Sequence, residues 1–119
     1  MARQASVIRP GTIPAEAEPS NHLVGKRLVR ADVHGPEISI TWIGIEGRHR
    51  RLVCRASDRV YYIVAGTGTF ELGEDTPQRV EAGDVVFIPK GVAYALDGAM
   101  EYLVMNGPAF RPGTDEYLE

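Results

Sequence analysis

The segment from Arg59 to Tyr94 constrains the fold more than any other part of this chain. Val60-Tyr61-Tyr62-Ile63-Val64-Ala65 closes on Gly66, Thr69-Phe70-Glu71-Leu72 closes on a polar turn, and Val85-Val86-Phe87-Ile88 closes on Pro89. Short β-branched and aromatic runs suit pleated surfaces, and the glycines and prolines between them suit tight reversals. A chain punctuated in this way builds strands and not helices.

The same rhythm extends outward. Arg27 to Val33 reads as a strand before the turn Gly35-Pro36. Ile38 to Ile43 alternates, with Ile38, Ile40 and Trp42 on one face and Ser39, Thr41 and Ile43 on the other. Further strands are expected at Arg50–Arg55, Val60–Ala65, Thr69–Leu72, Arg79–Val80, Asp84–Ile88, Tyr94–Leu96 and Glu101–Met105. Gly44 to Gly47 is expected to end one strand, and Gly66 and Gly83 to reverse others. No window carries helical amphipathicity, so the pattern predicts an all-β antiparallel sandwich or barrel.

The 119 residues suit one core. Residues 1–24 hold Pro10, Gly11, Pro14 and Pro19 and read as an extended arm, with Val7-Ile8 a candidate edge strand; residues 25–119 form the barrel domain. In the tail, Phe110 is expected to pack on the barrel. A formal charge of −3 offers no general attraction to nucleic acid or to anionic membranes. No apolar run is long enough to cross a bilayer and no signal-type segment is visible, so a cytoplasmic location is expected. The lone Cys54 agrees with a reducing compartment.

Two segments resemble the paired motifs of the cupin superfamily. Gly83, Pro89, Gly91 and Tyr94 follow the spacing of the second motif, and Arg59 followed by Gly66 follows the end of the first. The resemblance implies a double-stranded β-helix, or jelly-roll, barrel, usually assembled as a homodimer. Metal-binding members carry two His and a Glu in the first motif and a His in the second. Here the Glu position holds Arg59 and the second-motif His position holds Tyr94. The His pair falls on Val53 and Arg55 or on Leu52 and Cys54, depending on the spacing used. A guanidinium would repel a divalent cation, so neither metal nor another cofactor is expected.

Without a metal, such a barrel still offers a pocket for a small-molecule ligand. Tyr94 and Arg59 are the candidate catalytic pair, with the phenol as acid and the guanidinium as anchor. Arg55, Tyr61, Tyr102, Trp42 and Cys54 are the candidate binding residues; alternation leaves Thr41 as the alternative to Trp42 and sets Cys54 against Arg55. Gly47-Arg48-His49-Arg50-Arg51 reads as a solvated turn, although His34, His49 and Glu46 would be the raw material of any new metal site.

The expected function is metal-independent binding of a small anionic or sugar-like metabolite, with isomerisation, cyclisation or lyase chemistry. A non-catalytic binding or sensor module and a metal-dependent oxygenase or isomerase with unconventional ligands are the alternatives, and the residues do not decide whether the chain is an enzyme.

Overall fold

A computed structural model describes residues 3–119. Eight strands run in chain order: β1 (Glu16–Glu18), β2 (Leu23–Val29), β3 (Ser39–Cys54), β4 (Asp58–Leu72), β5 (Gln78–Glu81), β6 (Val85–Ile88), β7 (Tyr94–Gly107) and β8 (Asp115–Tyr117). They form one sheet ordered β1-β2-β3-β7-β4-β5, with β6 on β4 and β8 on β3. Every pairing is antiparallel. The jelly-roll barrel expected from the sequence is the observed fold.

Three long strands replace the shorter ones expected. β3 runs through Gly44–Gly47, β4 through Gly66–Gly68 and β7 through Gly98. These glycines bend strands without ending them, so that one strand serves both layers. The first half of β4 pairs with β6 and the second half with β5. Gly66 has φ +84°, and a Cβ there would lie 2.2 Å from the Ala99 carbonyl oxygen. The bend therefore needs both positive φ and close backbone approach, and only glycine supplies the two together. Gly83, by contrast, sits in the β5–β6 reversal where the pattern predicted it, and Pro89 and Gly91 make the corner before β7.

Irregularities in β3 and β4 decide which side chains face inward. The register on β7 shifts between His49 and Leu52 and again between Ile63 and Ala65. Each shift exchanges the inward and outward sets beyond it. Arg59, Tyr61 and Ile63 thus point inward before the second shift, and Phe70 after it. Tyr61 centres the core, with its ring centroid 5.1 Å from Phe70, 5.8 Å from Tyr94 and 5.1 Å from Tyr102. Each buried ring contributes about 1.5–3 kcal/mol.

The N-terminal segment departs from expectation. Val7-Ile8 is not a strand; Glu16–Glu18 pairs with Leu23–Gly25 at the sheet edge instead. The strand expected over Arg27–Val33 ends at Val29, and Ala31–His34 forms a single helical turn, α1. No helix among the described residues is long and apolar enough to cross a membrane.

Candidate functional site

The inward face of the barrel opens into a cavity of about 280 Å³ lined on one side by β1 and β2, on the other by β4 and β7, and closed by Phe110 and β8. Arg59 lies on its wall at 4% exposure. Its Nη2 donates to Asp115 at 2.5 Å and its Nη1 donates to the Tyr94 hydroxyl at 2.9 Å. Burial works against the charge, but the neighbouring tyrosine oxygens and Asp115 outweigh it, so Arg59 stays protonated.

The Tyr94 and Tyr61 hydroxyls are 2.6 Å apart. Tyr94 accepts from Arg59 and is only 1% exposed, so its own proton has an acceptor only if it donates to Tyr61. That ordering leaves the Tyr61 O–H free to donate into the cavity that it lines. Burial raises the pKa of Tyr61, Tyr94 and Tyr102 above the phenol range, and these groups hold their protons at neutral pH. They are acids and donors, not bases.

The base is His49. It lines the cavity at 7% exposure and stacks on Tyr117, with ring centroids 6.1 Å apart. Its Nδ1 lies 2.9 Å from the Arg50 carbonyl oxygen, which can only accept. Nδ1 therefore carries the proton and Nε2 keeps its lone pair. Burial lowers the pKa of the ring, so the neutral form persists below the usual histidine range.

The solvated turn expected at Gly47–Arg51 is instead the middle of β3, and its arginines clamp the C-terminus. Arg48 pairs with Glu71 and Glu119, Arg50 lies 4.0 Å from the centre of the Tyr117 ring, and Arg51 donates to the Gly73 carbonyl. Continuing the alternation Thr41, Ile43, Ile45 through Gly47 leads to His49, the signal that identifies it as inward-facing.

Of the other residues singled out from sequence, Arg59, Tyr61 and Tyr102 line the cavity. Tyr94 stands one layer behind, touching the cavity only through Arg59 and Tyr61. Trp42 lies on the outer face over Gly44, and Thr41 takes the inward position. Arg55 points to solvent with its side chain 68% exposed and pairs with Glu116, because its strand has ended and nothing covers it. Cys54 is buried but does not line the cavity. Asn106, Phe110, Asp115 and Tyr117 complete the wall. The tail residues among them occupy short or irregular segments with no periodicity to reveal their direction.

The donor set does not fit the metal centre of metal-binding cupins. A guanidinium and a protonated phenol occupy the ligand positions, and among the described residues no three His, Cys, Asp or Glu side chains converge on one point.

No protein-family model and no curated protein sequence matches the chain. Solved structures do. Pac13, a nucleoside dehydratase, superposes with a TM-score of 0.83 at 18% identity, covering 98% of this chain and 92% of that one. Variants of Streptomyces Pac13 with one histidine or one tyrosine replaced, each with uridine, match equally well. KdgF from Halomonas sp. gives 0.79 at 16% identity over 92% of this chain and 97% of its own. Oxalate decarboxylase from Bacillus subtilis gives 0.78 at 13% identity, with 98% of this chain covering 34% of the larger protein. Sequence motif, strand order and these superpositions agree that the chain has the cupin jelly-roll fold.

Proposed function

We propose that this barrel is a metal-independent acid–base enzyme that eliminates water from a small hydroxylated metabolite. One observation carries the reading: a neutral histidine with a free Nε2 and a phenol with a free O–H line the same buried cavity. A base and an acid lining one cavity are what removal of a proton and a hydroxyl from neighbouring carbons requires.

In this reading His49 Nε2 takes the proton from a carbon made acidic by an adjacent carbonyl. The electron pair forms the new double bond as the neighbouring C–O bond breaks. The Tyr61 O–H protonates the departing oxygen, which leaves as water. The proton on His49 then returns to the Tyr61 oxygen and both groups are reset. Arg59, held by Asp115, keeps Tyr94 oriented so that Tyr94 donates to Tyr61. The cavity suits a molecule with the bulk of a nucleoside or monosaccharide. Pac13 adds support, since it is a nucleoside dehydratase on the same fold and its histidine and tyrosine variants were studied with uridine.

The test is deuterium incorporation from D₂O into a panel of β-hydroxy carbonyl sugars and nucleoside aldehydes, followed by NMR with loss of the hydroxyl. The native chain is expected to exchange and eliminate at least one of them, and His49→Gln and Tyr61→Phe each to lose about 10²–10⁴-fold. Exchange that survives both substitutions would refute the assignment.

A further inference from the structure

A second hollow, of about 510 Å³, adjoins the candidate active cavity, and Arg27, Thr41 and Phe110 line both. Three arginines line this hollow, Arg27 from β2, Arg30 from the residue before α1 and Arg111 from the tail, against one carboxylate, Asp32. Arg30 is already paired, since its Nε and Nη2 donate to the two Asp32 oxygens at 2.7 and 3.1 Å. Among the described residues, neither Arg27 nor Arg111 has a carboxylate within ion-pair distance. Arg27 is half-buried and Arg111 exposed, so both guanidiniums are open to a ligand. On a chain of formal charge −3, this hollow is locally basic.

The backbone beneath these arginines is pinned. Arg27 pairs with Thr41 across the β2–β3 ladder, and its guanidinium lies over the Phe110 ring, 5.3 Å from its centre. The Phe110 N–H donates to Ser39 Oγ at 2.8 Å, the Ala109 N–H donates to the Pro36 carbonyl at 3.0 Å, and Thr114 Oγ1 donates to the Arg111 carbonyl at 2.8 Å. These bonds fix where Arg27 and Arg111 leave the main chain and consume none of their side-chain donors. The inner cavity offers an anion less: Arg59 is neutralised by Asp115 there, and Glu16 and Glu18 line that cavity but not the hollow.

We infer that Arg27 and Arg111 bind a phosphate carried by the substrate, whose uncharged body occupies the inner cavity. A phosphate monoester holds a charge of about −1.5 to −2 at pH 7, which matches two uncompensated guanidiniums, and its terminal oxygens accept N–H donors from both. The substrate class is then a phosphorylated sugar or nucleoside, which joins the anionic and sugar-like classes expected from the sequence in one molecule. The anion anchor expected at Arg59 moves to the mouth of the barrel, and Arg59 keeps its place in the tyrosine network. The inference rests on the proposed reading of the inner cavity as a substrate site.

Calorimetric titration of the full chain compares uridine 5′-monophosphate with uridine and ribose 5-phosphate with ribose. In at least one pair the phosphorylated member is expected to bind about tenfold or more tightly than its parent at low ionic strength, with the gain shrinking as salt is raised. The pair that shows the gain tells a nucleotide from a sugar phosphate. In Arg27→Gln and Arg111→Gln, with folding checked by circular dichroism, the gain is expected to fall to about twofold or less. No gain in either pair, no binding of any of the four probes, or a gain that persists in both folded variants would overturn the inference. A phosphate gain accompanied by deuterium exchange that survives His49→Gln and Tyr61→Phe refutes the acid–base reading alone; exchange that depends on both residues without any phosphate gain refutes this inference alone.

Discussion

Replacing Asp115 by Asn removes one charge from the Arg59–Asp115 pair while preserving its shape. The side chains are only 5% and 18% exposed, so water can do little to stabilise the guanidinium left behind. Breaking a fully buried pair from one side costs about 3–5 kcal/mol. The partial exposure of Asp115 places this one near the lower end, about 3 kcal/mol. Against a total stability of about 5–15 kcal/mol this is a large fraction. With a urea slope of about 1.5 kcal/mol per molar, the midpoint falls by about 2 M. The single tryptophan, Trp42, reports the transition by fluorescence. Arg59→Met combined with Asp115→Leu removes both charges and is expected to recover to within about 1 kcal/mol of the native chain. A cost below about 1 kcal/mol for Asp115→Asn, as for a surface pair, or a double variant as unstable as the two single changes added together, would refute the reasoning.

Acid sensitivity follows from His49. Its folded pKa lies below the ordinary value of 6.5, so the unfolded chain takes up the proton first as pH falls; stability is level above that pH and declines below it, and His49→Gln flattens the decline in urea titrations across pH. Activity in the proposed reaction is expected to hold its plateau to below pH 6.5 for the same reason. Gly66→Ala adds a methyl against the Ala99 carbonyl at a position of φ +84° and is expected to cost at least about 2 kcal/mol. Gly83→Ala, with φ +95° and open space around it, is expected to cost only the backbone strain of about 1–2 kcal/mol. Equal melting temperatures for the two variants would contradict the in-strand bend. Tyr62, Val64, Val85 and Phe87 share the exposed outer face of β4 and β6, so a homodimer through this face is expected; light scattering should give twice 13.0 kDa and Phe87→Lys should return a monomer.

The fold was legible because strand chemistry is local. Alternation over Ile38–Ile43 separated the two faces correctly, and the spacing of Gly83, Pro89 and Gly91 marked the reversal and the corner that bring Tyr94 into the core. What local patterns could not show was whether a glycine ends a strand or bends it. Gly66 and Gly98 look like turn residues, yet their role depends on a backbone that approaches from across the sheet. That ambiguity hid His49, since a strand broken at Gly47 leaves the histidine in a polar loop. Alternation left Trp42 and Thr41 as alternatives, because the direction of the face depends on which side of the sheet curls inward. Asp115 was invisible for another reason: its significance comes from Arg59, and the chain brings the two together from 56 residues apart.

The account depends most on a guanidinium and phenol network doing the work that an ion does in metal-binding cupins. Elemental analysis of protein purified without added metal, paired with deuterium exchange before and after dialysis against a chelator, tests this directly. The account predicts far less than one transition-metal ion per chain and exchange that chelation leaves unchanged. One tightly held ion per chain whose removal abolishes exchange would contradict it.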